Sequence, residues 1–194
     1  MQKLILYCAI AISLVTYFSL TLFVLPPNFL EMQKLAPQPT LDVTLEKSKI
    51  NLGESFEIKI TSNNIGDPAD IQIVSIQFPN LKEISDNVKI TEFDFTQSPY
   101  YVLVGDEVGS EYTAGLKTVT AKYPSIEAFS RPINTGDQYH IGLAITPESV
   151  GEFVIHVKSV ILPHYTDLAH YPQSGQLDYQ GEYIEVYSIK VSNP

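Results

Sequence analysis

The clearest structural signal in this chain is the stretch Phe56-Glu57-Ile58-Lys59-Ile60-Thr61-Ser62-Asn63-Asn64-Ile65-Gly66-Asp67-Pro68. Its first residues alternate between apolar and polar, which is the pattern of a β-strand with one buried face. The second half is typical of a turn, because asparagine side chains bond nearby backbone and glycine accepts positive φ. The stretch therefore predicts a half-buried strand that ends in a turn at Asn63 to Pro68.

Alternation of the same kind continues on both sides of this stretch. It occurs at residues 41–45, 139–143, 153–157 and 183–189. It shifts by one residue between Ile73 and Val74, which predicts a β-bulge, and it places His156 on the solvent side of its strand. Helical periodicity is scarce after residue 40. Seven or more short strands separated by turn residues predict an antiparallel β-sandwich, so we expect an all-β fold.

Two segments resemble a known kind of surface module. Residues 41–78, with the core Ile60-Thr61-Ser62-Asn63-Asn64-Ile65-Gly66-Asp67-Pro68-Ala69, resemble the immunoglobulin-like adhesion modules called CARDB of archaeal and bacterial surface proteins. Residues 147–155 similarly resemble the Pro-x-x-x-Gly-x-aromatic entry to a late strand of bacterial immunoglobulin-like domains. The resemblance implies an immunoglobulin-like sandwich at a prokaryotic, most often archaeal, cell surface. Compared with the small module, residues 81–136 form an insertion, with strands predicted over 88–95, 100–104 and 116–123.

An apolar run at residues 4–25 precedes the strands. As a helix it would be roughly 33 Å long, enough to cross a hydrocarbon core of about 30 Å. The alternative is a cleaved signal peptide, but the run ends Phe23-Val24-Leu25-Pro26-Pro27 without the small-x-small cleavage site. Lys3 lies before the run and Glu31 after it, so the positive-inside rule places the N-terminus in the cytoplasm. We interpret Cys8 as a membrane-embedded residue and not as a lipid-modified one.

These observations predict three parts. Residues 1–25 are a cytoplasmic N-terminus and a transmembrane signal anchor, residues 26–40 are a proline-rich stalk, and residues 41–194 are an extracellular immunoglobulin-like sandwich. The expected location is the cell membrane, crossed once, with the C-terminal domain outside.

Composition narrows the possible functions. Cys8 is the only cysteine, so the domain after the apolar run has no thiol for a disulfide, a thiolate metal site or a cysteine nucleophile. The net charge is −10 and Arg131 is the only arginine, so nucleic acid is not an expected partner. No Gly-x-Ser-x-Gly motif occurs. We therefore expect no enzymatic activity and no cofactor.

One histidine-containing segment could bind a metal. His164, Asp167 and His170 are spaced three residues apart, and imidazole and carboxylate groups at that spacing could ligate zinc or copper if the loop formed a helical turn. A polar surface loop between two late strands is the alternative, and we favour it.

Acidic turns and tyrosines provide two further sets of candidates. The acidic groups, Asp67 with Asp70 and Asp106 with Glu107 and Glu111, could supply oxygen ligands to calcium or could be solvated turns. Tyrosine rings could serve recognition, or could stabilise strands and core edges. The tyrosines considered are Tyr100, Tyr101, Tyr112, Tyr123, Tyr139, Tyr165 and Tyr171.

The sequence thus predicts a membrane-anchored cell-envelope protein whose extracellular sandwich mediates protein or surface interactions. The alternative is an accessory subunit of a membrane enzyme or transporter complex, packed through the mildly polar side of its helix at Ser13, Thr16, Ser19 and Thr21. A metal-binding envelope domain is the third hypothesis. Expected partners are the lipid bilayer, through residues 4–25, and envelope or membrane proteins.

Overall fold

The computed structural model describes residues 2–20, 35–110, 118–163 and 171–194. The chain divides into two compact units, Met1–Lys34 and Leu35–Pro194. In the first unit, helix α1 covers Gln2–Ser19. Among the described residues, no helix combines the length and the apolar character needed to cross a membrane. Residues 21–25, the end of the predicted span, lie outside the described part.

The second unit consists of strands joined by turns. The strands in the described part are β1 Pro39–Leu45, β2 Lys49–Asn51, β3 Phe56–Asn64, β4 Ile71–Gln77, β5 Val88–Phe93, β6 Tyr100–Val102, β7 Glu107–Val108, β8 Val119–Thr120, β9 Ser125–Ser130, β10 Gln138–Ile145, β11 Gly151–Leu162, β12 Gln176–Leu177 and β13 Tyr183–Ser192.

Two sheets form the sandwich. The narrow sheet has four strands in the order β1-β3-β10-β5. The wide sheet has seven strands, in the order β12-β13-β11-β4-β9-β6, with β2 added beside β13. All pairs in both sheets are antiparallel except β2 with β13, which is parallel. The antiparallel all-β fold predicted from the alternation is confirmed.

The main core lies between the two sheets. Phe56, Ile58 and Ile60 on β3 are each 1% exposed, as the alternation predicted. Phe56 meets Phe153 of the wide sheet edge to face, with ring centroids 6.0 Å apart. Each fully buried side chain of this size contributes roughly 1.5–3 kcal/mol to stability.

Strand β4 is regular, and the predicted bulge between Ile73 and Val74 is wrong. The strand pairs without interruption with β11 on one side and β9 on the other. All of its residues are buried, because Val74 faces the main core while Ile71 and Ile73 pack on the other face against Phe129. Apolar residues on both faces of a central strand gave the shifted pattern.

The segment before β1 is held against the turn that follows β3. Ala36 N–H donates to Asp67 Oδ2 at 3.0 Å, and Gln38 N–H donates to Asn64 Oδ1 at 3.0 Å. A Cβ on Gly66 would lie 2.5 Å from the Ala36 carbonyl oxygen, so glycine is needed there for close approach and not for positive φ. Residues 35–40, expected at the end of the stalk, therefore belong to the second unit.

The predicted insertion, residues 81–136, contributes to both sheets. Strand β5 pairs with β10 at the edge of the narrow sheet, and β9 lies between β4 and β6 in the wide sheet. Val88 and Ile126 are buried in the main core. These strands are therefore part of the sandwich.

Candidate functional site

The outer face of the wide sheet carries buried polar groups. Ser75 and Gln77 on β4 lie opposite Glu127 and Ser125 on β9. Glu127 is only 4% exposed, and its Oε1 accepts hydrogen bonds from Ser75 Oγ at 2.5 Å and Ser125 Oγ at 3.2 Å. A sheet face that met only water would not bury these groups, so other parts of the chain cover it.

An ion pair holds one covering segment in place. Lys158 Nζ on β11 lies 3.2 Å from Asp178 Oδ2 and 2.5 Å from Gln180 Oε1. The lysine and aspartate side chains are 11% and 1% exposed. Asp178 Oδ1 also accepts the N–H groups of Gln180 and Glu182 at 2.8 and 3.0 Å. The segment 178–182 is therefore fixed to the sheet by charge and by backbone hydrogen bonds.

His156 lies beside this segment, half-buried. Its ring meets Tyr123 edge to face at 6.0 Å, and its buried Nδ1 has no hydrogen-bond partner among the described residues. Burial lowers its pKa from the ordinary value, and the charge of Asp178 opposes that shift. The alternation correctly placed His156 on the outer face of the sheet, but Tyr123 contacts its ring there, so the side chain is half-buried and not fully exposed.

Above this layer lies a surface that we call the aromatic surface, formed by Tyr123, Tyr179 and Val186. The two tyrosine rings are nearly perpendicular at 5.7 Å, and Lys122 Nζ lies 5.1 and 5.5 Å from their centroids. Tyr179 Oη accepts the Lys122 N–H at 3.0 Å. Tyr179 and Val186 are 42% and 43% exposed. The side chain of Tyr179 is partly buried, and this burial raises its pKa.

A second candidate region, which we call the groove, opens between β1 and β13. It has a volume of about 350 Å³. Apolar walls are supplied by Pro39, Leu41, Pro172 and Tyr183. Ser159, which is 3% exposed, lies at its inner end, so we call that end the floor.

A buried polar triad lies at the floor of the groove. Ser62 Oγ and Ser159 Oγ are 2.7 Å apart, and Gln72 Nε2 donates to them at 2.6 and 3.1 Å. Gln72 is 0% exposed, yet its Oε1 has no hydrogen-bond partner in the described part of the chain. An acceptor buried without a donor costs free energy, about 1–3 kcal/mol.

The mouth of the groove carries a negative charge. Glu185 lies there, exposed, and Tyr187 donates its hydroxyl hydrogen to Glu185 Oε2. Burial and this carboxylate raise the pKa of Tyr187 well above its ordinary value. The described residues that line the groove include no Lys, Arg or His.

The metal candidates His164, Asp167 and His170 lie outside the described residues. Among the described residues, no three His, Cys, Asp or Glu side chains are grouped so as to hold a metal ion.

Two of the acidic candidates, Asp67 and Asp106, serve turns. Asp67 Oδ2 accepts the Ala36 N–H, and Asp106 Oδ2 accepts the Leu103 N–H at 2.8 Å. Glu111 lies outside the described residues.

Several of the tyrosine candidates have structural roles. Tyr100 and Tyr139 pack against phenylalanine rings, and Tyr171 Oη donates to the Leu35 carbonyl at 3.3 Å. Tyr112 and Tyr165 lie outside the described residues. Of the tyrosines singled out in the sequence, Tyr123 contributes to the aromatic surface.

No protein-family model and no curated protein sequence matches the chain. Solved structures that it resembles include a cohesin module from a family 33 glycoside hydrolase of Clostridium perfringens, 12% identical, with a TM-score of 0.40 over 83% of this chain and 100% of that one. The CARDB domain of the PF1109 protein from Pyrococcus furiosus is 9% identical, with a TM-score of 0.37 over 81% of this chain and 96% of that one.

BslA, a bacterial hydrophobin, is also similar, at 9% identity and a TM-score of 0.37 over 82% of this chain and 97% of that one. A CARDB domain is thus among the structures that the chain resembles, in agreement with the resemblance of residues 41–78. The likeness concerns the arrangement of strands and not a ligand or an activity.

Proposed function

We propose that the chain is a membrane-anchored cell-envelope protein whose sandwich binds another protein or a surface through the aromatic surface. The observation that carries this proposal is the Tyr123–Tyr179 pair, in which Tyr179 stands on the segment that the Lys158–Asp178 ion pair fixes to the sheet. Tyrosine gives a large contact area at small entropic cost, and a ring already held in place loses little further freedom on binding. The chain acts by binding and not by catalysis.

One exposed apolar residue adds to this surface. Val186 lies opposite His156 on the outer face of the wide sheet and is 43% exposed. Its side chain supplies apolar area beside His156, whose ring contacts Tyr123.

Anchoring through the N-terminal helix is supported by its side chains. Ile10, Ile12, Leu14 and Val15 of α1 are 49–66% exposed, so the helix presents apolar groups all around. The hydrocarbon core of a lipid bilayer would surround these apolar side chains. A helix that is hydrophobic all round is typical of a membrane span.

The interaction is tested on the full-length protein purified from its native membrane in a mild detergent. Tyr123→Ala combined with Tyr179→Ala should lose the copurifying protein that mass spectrometry identifies with the wild type. The matched control is Leu103→Ala with Val104→Ala, which removes residues that are 51% and 59% exposed in a different turn. Equal retention of the partner in the tyrosine variant and the control would refute the aromatic surface as the binding site.

Anchoring is tested by extracting native membranes with alkaline carbonate. We expect the full chain to stay in the pellet, and release into the supernatant would contradict a membrane-spanning anchor. Replacing residues 4–25 by a plain leucine helix should keep both anchoring and partner. Loss of the partner in that variant would instead favour an accessory subunit that packs through its helix at Ser13 and Thr16.

A further inference from the structure

We propose that the groove between β1 and β13 binds an aliphatic ammonium group, of which a lysine side chain is the commonest protein example. This site is separate from the aromatic surface and does not depend on it. The volume of about 350 Å³ is within the range of small-ligand sites.

The walls suit an aliphatic chain. Pro39 and Leu41 lie on the β1 side, and Pro172 and Tyr183 face them across the opening. The methylene groups of an amine would replace water along these surfaces, at about 25 cal/mol per Å² of apolar area. The Tyr183 ring also attracts a cation through its negative face.

Acceptor groups dominate the polar part of the lining. Glu185 supplies a carboxylate, and Thr40, Ser159 and Ser174 supply hydroxyl oxygens, while the described lining residues include no Lys or Arg. The Tyr187 hydroxyl occupies one carboxylate oxygen of Glu185, which leaves further acceptor sites on that carboxylate. An ammonium group has three donors and no acceptor, so it complements this set.

The floor gives an independent indication of a donor ligand. Gln72 Oε1 is a buried acceptor that has no donor among the described residues, and its amide nitrogen contacts Ser159, which lines the groove. Buried polar groups are nearly always paired, so an unpaired one next to a cavity points to a ligand or to ordered water. The Glu185 carboxylate at the mouth selects a cationic donor over a neutral one.

The test is saturation-transfer NMR on the full-length protein in nonionic detergent micelles, with n-butylammonium as the probe. We expect saturable binding that Glu185→Gln weakens at least fivefold. The matched control, Glu152→Gln, makes the same charge change on an exposed residue of β11 outside the groove and should leave binding unchanged. Ser174→Trp should abolish binding by filling the opening, with the circular dichroism spectrum retained.

Two uncharged probes, n-butanol and methyl glucoside, test whether the groove requires an ammonium group. Binding of n-butanol or methyl glucoside as tightly as n-butylammonium would overturn the proposal, as would equal weakening by Glu152→Gln and Glu185→Gln, or no binding of the amine. Nα-acetyl-lysine methylamide identifies the source of the group. If it binds like n-butylammonium, the groove takes a protein lysine, and if only n-butylammonium binds, it takes a small free amine.

Discussion

Lys158 and Asp178 form an ion pair, 3.2 Å from Nζ to Oδ2, on the face of the wide sheet that points away from the sandwich core. In a two-layer sandwich that face meets water. Here the aspartate side chain is 1% exposed, because the chain returns over the sheet between β12 and β13. The pair therefore connects a strand in the middle of the sheet to the segment that presents Tyr179.

Removing one member of this ion pair should be costly. Asp178→Ala leaves the Lys158 ammonium buried without its counterion, so we expect a loss of about 3–5 kcal/mol in the free energy of unfolding. Urea denaturation measures the loss. The control is Lys59→Ala in the exposed pair Lys59–Glu92, where the side chains are 53% and 57% exposed and the expected loss is under about 1 kcal/mol. Similar losses in both variants would contradict a buried role for Asp178.

Gly66→Ala should detach the segment before β1. The new methyl group would overlap the Ala36 carbonyl at 2.5 Å and the Gln38 nitrogen at 2.6 Å, and both are backbone atoms that cannot turn aside. We expect faster hydrogen exchange at Ala36 and Gln38 and little change in β11. Gly53→Ala is the comparison, since its Cβ meets nothing within 4 Å and only its φ of 89° opposes the change. Unchanged exchange at Ala36 would show that the contact is loose.

His156 should make the fold less stable in mild acid. Its folded pKa lies below the ordinary 6.5 because burial disfavours the charged ring. The unfolded chain therefore binds a proton at His156 more readily than the folded protein does. The stability that comes from the neutral ring is complete above about pH 6.5 and is lost as the pH falls toward the folded pKa. Tyr123 contacts the ring, and the charge of Asp178 opposes the shift.

Urea unfolding at about pH 7.5 and 5.5 measures this effect. The wild type should lose more stability between the two values than His156→Gln, because only the wild type has a ring to protonate. An identical pH dependence in the two proteins would rule out His156 as the cause.

Gln72→Met should leave stability unchanged or raise it by about 1 kcal/mol. It removes the unpaired Oε1, while Ser62 and Ser159 still bond to each other at 2.7 Å. The same variant should bind n-butylammonium more weakly. If Gln72→Met lowers the free energy of unfolding by more than about 2 kcal/mol, the amide stabilises the protein interior and has no role in ligand binding.

The fold could be predicted from local pattern wherever only one face of a strand is buried. Phe56, Ile58 and Ile60 alternate with polar residues and are buried as expected. The pattern failed at β4, because a strand covered on both faces has no alternation to follow. The local pattern also did not reveal why glycine is needed at position 66. The contact that requires it, with Ala36, joins residues 30 positions apart.

The candidate sites were harder to predict because they depend on contacts distant in sequence. Lys158 lies within the apolar run of β11, and a lysine there is the one local sign that a partner covers the strand. Asp178, Tyr179 and Glu185 carry no signal of their own. They become notable only when β12 and β13 bring them beside β1, β11 and the segment before β9.

The ends of the sheets affect how copies of this protein behave when crowded. The wide sheet ends on one side in β12 and β2, which have two and three residues, and on the other side in β6, which has three. The narrow sheet ends in β1, which opens with Pro39 and so lacks one N–H, and in β5, whose pairing with β10 shifts register between Gly142 and Leu143 of β10. Short, irregular edges are poor templates for strands of a neighbouring molecule. Many copies packed side by side should therefore resist edge-to-edge aggregation.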